Sequence, residues 1–108
     1  MSAVFLHDGA TVDFLPAADV AAGSIIVLGD LVGVSKFFVA AGRTGGIAVR
    51  GVFDVLKDPS TNIDVGTRLY WSTVSWHVVK TASGHPLLGK SVLPASPGTS
   101  YVRVLLTQ

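Results

Sequence analysis

Residues that end regular structure interrupt this chain every 10 to 20 positions, and that spacing constrains the fold more than any other feature. The central stretch breaks at Gly23, Gly29-Asp30, Ala41-Gly42 and Gly45-Gly46. Between the breaks lie SIIVL, LVGVSK and IAVRGVFDVL, which are rich in Val and Ile and too short to hold as helices. They are expected to be strands. Near the start, Asp8-Gly9 sits between the apolar runs of VFLHDGATVDFL, which predicts a hairpin turn between strands at 3–7 and 10–15. DPSTNIDVGT, residues 58–67, collects Asp, Pro, Asn and Gly and predicts a long loop. RLYWSTVSWHVVK predicts two strands joined around Ser72 to Ser75, because aromatic and β-branched residues on both sides favour a pleated surface. PLLGKSVLP is expected to be a strand, ASPGTS a turn and YVRVLLTQ the last strand. Only AADVAAG, residues 17–23, offers one short helical turn, which its alanines would tolerate.

Many short strands with regular turns predict an all-β fold: a single small antiparallel barrel or sandwich, with little or no helix. One domain is expected over residues 1–108, with 1–15 either an N-terminal arm or the first hairpin. Gly23, Gly42, Gly66 and Gly98 each precede a strand-like segment, and Gly9 belongs to the hairpin turn. Their uneven spacing argues for a recurring turn device rather than a repeat protein. The expected cause is a backbone position with positive φ, which glycine supplies without steric cost.

Composition adds a second constraint. Hydrophobic residues make up 49% of the 108 residues and charged ones 14%, against about 25% charged in an ordinary soluble domain. A chain this short buries only about two-thirds of its unfolded surface, so it holds more apolar side chains than one small core needs. Mean hydropathy is +0.57. The longest weakly charged stretch, Pro16 to Lys36, nevertheless contains Asp19, Asp30 and three glycines, unlike a membrane span of about 20 residues. The N-terminus has no basic region, and Asp8 falls where a secretion signal would be hydrophobic, so synthesis in the cytoplasm is expected. The net charge is +1 with scattered basic residues. A nucleic-acid binder usually shows a basic patch and a motif.

Chemistry-bearing clusters are sparse. There is no cysteine, which removes disulfides and thiolate sites. His7, His77 and His85 show no metal-site spacing. All seven carboxylates are aspartates, and most lie in turn-like sequence where Asp caps local backbone groups. Paired carboxylates far apart in sequence remain possible on spacing alone. No serine sits in a GxSxG elbow, and GRTGG matches a hairpin turn better than a phosphate loop. No catalytic residue, cofactor or metal is expected. Tyr70, Trp71 and Trp76 suggest a stacking platform, but on a strand Tyr70 and Trp71 face opposite sides. At most one of them can share a platform with Trp76, and core or interface packing is the simpler role.

RGVFDVLK, residues 50–57, poses the sharper question. Alternation puts Val52, Asp54 and Leu56 on one face and Phe53 and Val55 on the other, so both faces carry large apolar groups. Such a strand is either central in a sandwich or pressed against a partner.

The order ADVAAGSIIVLGDLVGVS, VAAGRTGGIAVRGVFDVLK, VGTRLYW, LLGKSVLPAS and VRVLL resembles the tailed-phage capsid cement proteins, a head-decoration family. The likeness runs from about residue 9 to 106. Ser72 departs from the Asp or Asn that family members commonly carry after the Tyr-Trp pair. The resemblance implies a non-enzymatic virion protein, made in the host cytoplasm, that binds the outside of an expanded capsid and clamps neighbouring major capsid subunits. It implies a tulip-like barrel or a jelly-roll-like sandwich. It also implies self-association, as a trimer before a dimer, with no direct nucleic-acid or membrane partner. On this reading Phe5, Leu6 and Phe14, then Val52, Phe53 and Val55, and finally Tyr70, Trp71 and Trp76 are candidate subunit or capsid contacts. Two other classes stay open: a β-module binding glycan or single-stranded nucleic acid through Trp71, Trp76 and Arg68, and a small hydrolase with an Asp/His site.

Overall fold

The computed structural model describes residues 2–4, 6 and 9–108. Among these are nine strands and no helix: β1 (Thr11–Phe14), β2 (Ser24–Leu28), β3 (Leu31–Ser35), β4 (Gly45–Ala48), β5 (Val52–Leu56), β6 (Arg68–Ser72), β7 (His77–Val79), β8 (Leu87–Ser91) and β9 (Tyr101–Leu106). They form two antiparallel sheets, ordered β1-β4-β3-β2 and β5-β9-β8-β6-β7. The fold is therefore an all-β sandwich. An isolated parallel bridge from Lys57 to Val78 brings β7 toward β5. One bridge is not a ladder, so the five-stranded sheet curls without closing into a barrel.

The chain passes from one sheet to the other between β4 and β5, where Gly51 has a φ of 122°. The expected single segment IAVRGVFDVL is therefore two strands. A backbone angle that L side chains rarely adopt ends one ladder and starts the next. Gly45 and Gly46, expected in a turn, instead lie in β4 opposite Phe14 and Asp13. A Cβ on Gly45 would stand 2.5 Å from Val39 Cγ2, so the requirement there is close packing rather than turn geometry. Gly23, Gly42, Gly66 and Gly98 have φ of 86°, 76°, 81° and 97°.

AADVAAG forms no helical turn. Val20 and Val39 instead exchange backbone hydrogen bonds of 2.8 and 2.9 Å, and a residue so paired cannot also bond along a helix. β8 stops at Ser91, short of the expected PLLGKSVLP. The strand expected at 3–7 rests partly on residues outside those described; Ser2, Ala3, Val4 and Leu6 form no strand. β1 takes β4 as its partner, so Thr11–Phe14 belongs to the four-stranded sheet; the Asp8-Gly9 hairpin turn expected before it falls partly outside the described residues.

Apolar side chains fill two cores. The larger lies between the sheets and includes Val32 and Val34 of β3, Leu69 and Trp71 of β6, and Val102 and Val104 of β9, with Ile25 and Val27 of β2 packed against it. The smaller gathers Phe14, Val39, Ile47 and Val49, with Ile26 and Leu31 against it. Alternation explains the division: Ile25 and Val27 point one way along β2, and Ile26 points the other. The four-stranded sheet is thus apolar on both faces and covered on both. Each fully buried Val, Ile or Leu contributes about 1.5–3 kcal/mol. Gln108 ties the end of the chain in: Nε2 donates to the carbonyls of Val32 (2.8 Å) and Val49 (3.2 Å), and Oε1 accepts from the N–H of Val32 (3.2 Å).

Candidate interaction surface

Among the described residues, the five-stranded sheet has no such cover over part of its outer side. On β9, Val102, Val104 and Leu106 are buried while Tyr101, Arg103 and Leu105 are exposed. On β5, Val52, Asp54 and Leu56 are exposed. The register sets Val52 opposite Leu105, Asp54 opposite Arg103, and Leu56 opposite Tyr101. Directly opposite residues share a face, so two apolar pairs flank one ion pair on an ordered two-strand platform. Arg103 Nε donates to Asp54 Oδ1 at 3.0 Å, and Nη2 donates to Oδ2 at 3.4 Å. The hydrogen bond and charge of Asp54 raise the Arg103 pKa above its ordinary value. The pair is half in solvent and serves to hold the two side chains in place more than to stabilise the fold.

The candidate contact residues divide by burial. Val52 is 54% exposed and belongs to this platform. Phe53 and Tyr70 are half-buried. Phe14, Val55 and Trp71 are buried: the inward phase of their strands packs them in the chain's own cores. Leu6 is exposed, and Phe5 lies outside the described residues. Leu56, Tyr101 and Leu105 are platform residues that sequence reasoning did not select. The alternation of YVRVLL signals that Tyr101 and Leu105 share a face, but nothing local says that β9 lies beside β5.

Trp71 and Trp76 meet edge to face, with ring centroids 6.5 Å apart and planes at 66°. Trp71 is 4% exposed and Trp76 63%, so only one ring faces solvent and the two do not form a flat stacking platform. Trp71 Nε1 is buried without a hydrogen-bond partner. Trp76 sits at the end of the β6–β7 turn with a φ of 59°; its N–H donates to the Ser72 carbonyl at 2.9 Å. Ser72 Oγ accepts from the N–H of Ser75 at 3.1 Å.

Lys57, Asp58 and His77 are held by local structure. Lys57, though buried, donates from Nζ to the carbonyls of Asp58 (3.0 Å) and Thr61 (2.7 Å), tying down the start of the 58–67 loop. Asp58 accepts from the N–H and hydroxyl of Ser60. These bonds hold its pKa below the ordinary value. His77 Nδ1 lies 3.0 Å from the Val78 carbonyl. Asp58 and His77 thus have separate hydrogen-bond partners, and the charge of His77 adds to the lowering of the Asp58 pKa. Among the described residues, no three His, Asp or Glu side chains converge as a metal site would require.

A family model described as phage cement protein matches residues 6–106. The chain belongs to the phage cement protein family. Comparisons with curated proteins and with solved structures returned no match. The family assigns the chain a structural role in association with the phage capsid. For a cement protein, the relevant chemistry is contact area and charge. A second exposed apolar feature belongs to the other sheet: Phe37 and Phe38, 75% and 62% exposed in the segment after β3. They border a shallow groove that also takes in Arg43 and Gly46.

Proposed function

We propose that this cement protein binds the outer surface of the expanded phage capsid and clamps neighbouring major capsid subunits together. Copies self-associate, as a trimer before a dimer, and the protein is made in the host cytoplasm. The observation that carries this reading is the β5–β9 platform, where Val52, Leu56, Tyr101 and Leu105 stand 42–56% exposed on rigid strands. Ordered apolar groups lose little freedom on docking, so more of their burial appears as affinity. Many copies on one closed shell add avidity, and each contact can be individually modest. The N-terminal stretch ahead of β1, with Val4 and Leu6 exposed, serves as an arm that reaches a neighbour. Nucleic acid and membrane are not partners in this reading.

The test is co-sedimentation of the purified protein with unexpanded and expanded heads, followed by heating of the loaded heads. Selective binding to expanded heads and a higher rupture temperature are expected. A protein that stays monomeric by light scattering and leaves rupture unchanged would sink the proposal.

A further inference from the structure

The platform continues across the sheet into an arrangement of charge that the fold does not need. Leu105 lies opposite Lys90 on β8, and Lys90 lies opposite Arg68 on β6. One row therefore runs Val52–Leu105–Lys90–Arg68 over four strands, all exposed and all on the same side. Lys90 and Arg68 are like charges directly opposite each other, a pairing that destabilises a sheet. Among the described residues the one ion pair is Asp54–Arg103, and none of their carboxylates lies within ion-pair distance of Arg68 or Lys90. This face carries three basic groups against one acidic group, an excess of two, whereas the whole chain has a net charge of +1. The rest of the molecule is correspondingly acidic by one.

Resting on the capsid-binding reading, we propose that this face is where the capsid docks, and that its partner is a protein patch with carboxylates opposite Arg68 and Lys90. Apolar side chains of that patch cover Val52, Leu105, Leu56 and Tyr101. A second copy docked face to face is a poor occupant, because two such faces would oppose with an excess of positive charge on each. Nucleic acid is also a poor fit. A backbone-tracking surface neutralises phosphates with a run of free cations, while here Arg103 is already paired and half the face is apolar. The like-charge pair is a stability cost offset when a partner supplies the missing carboxylates.

Binding to expanded heads is measured for the wild type, Lys90→Glu, Arg68→Glu with Lys90→Glu, and Lys36→Glu, the last lying beyond β3 in the other sheet. The double variant is expected to bind roughly tenfold or more weakly. Wild-type binding should weaken as salt is raised, and Lys36→Glu should match the wild type. Thermal melts of the free proteins give an independent readout: Lys90→Glu places an acid opposite Arg68, so its melting temperature should equal or exceed that of the wild type.

If the double variant binds heads as the wild type does, the docking assignment is overturned while the capsid-binding reading stands. If the wild type binds no heads, both fail. If Lys90→Glu melts lower than the wild type, the like-charge argument is wrong. If the wild type binds duplex or single-stranded DNA at physiological salt and the double variant does not, the partner chemistry is wrong.

Discussion

β2 and β5 look alike as sequences. SIIVL and VFDVL are both five-residue strands with large apolar groups on each face. In the fold they part. Ile25 and Val27 of β2 turn to the core between the sheets, and Ile26 turns to the smaller core on the other side. β5 buries Val55, half-buries Phe53, and leaves Val52 and Leu56 in solvent. The difference is made by what covers the outer face. Over the four-stranded sheet the chain lays Val20 and Val39, joined by their bridge, against Phe14 of β1, Ile47 of β4 and Val49 just beyond it. Over β5 and β9 it leaves Val52, Leu56, Tyr101 and Leu105 exposed. An apolar strand face is thus a core element or a docking element according to whether the chain's own segments reach it, and a capsid-associated protein has use for the second kind.

The comparison is broken most severely at Ile47, which is fully buried in the smaller core. Ile47→Ala should cost about 2–5 kcal/mol, read as a lower urea midpoint with unchanged slope. A cost near that of a surface substitution would mean the outer core is not a true cover.

Gly45→Ala should cost about 1–3 kcal/mol through overpacking, since its new methyl group meets Val39. The companion variant Gly45→Ala with Val39→Ala should recover part of that loss; no recovery would place the strain elsewhere.

On the other face, Val52→Ser and Leu105→Ser should change stability by no more than about 0.5 kcal/mol while weakening attachment to heads. Unfolding by either change would show that the platform is part of the core.

The smallest effect concerns Asp58, which lies outside both regions. Its folded pKa is depressed by the Ser60 hydrogen bonds, so its contribution is present above the unfolded pKa and is lost as pH falls through the folded one. Asp58→Asn should therefore melt slightly lower than the wild type at neutral pH, with the gap closing below the ordinary value of 3.8. A gap that persists in acid would mean that charge is not the cause.

Much of the fold was legible because it is locally encoded. The breaks at Gly23, Gly42, Gly66 and Gly98 were visible as turn chemistry, and SIIVL, LVGVS, RLYWS and YVRVLL carried the β-branched and aromatic content of strands. What local sequence could not show was pairing. Gly45-Gly46 has the composition of a turn, and only the approach of Val39 gives it a place inside a strand. AADVAAG has helix-tolerant alanines, yet Val20 is claimed by Val39, nineteen positions away.

The candidate surface was less legible still. Phe14, Val55 and Trp71 are as apolar as any contact residue, and nothing local distinguishes an apolar group that the chain covers itself from one left for a partner. Val52 could be selected from its own strand. Leu56, Tyr101, Leu105, Lys90 and Arg68 become one face only when four strands are laid side by side.

By itself, then, the amino-acid sequence determined that the chain would be a set of short strands punctuated by glycine turns, with more apolar surface than one small core requires. Those properties depend on φ preferences, side-chain branching and composition, each of which acts within a few residues. The tertiary structure alone decided where the surplus would lie. Asp54 and Arg103 are 49 positions apart, and their meeting depends on the turn into β5 at Gly51 and on β9 returning beside it. Burial is a property of such long-range pairings, so the division between the covered faces of the four-stranded sheet and the open face of β5 and β9 exists only in three dimensions.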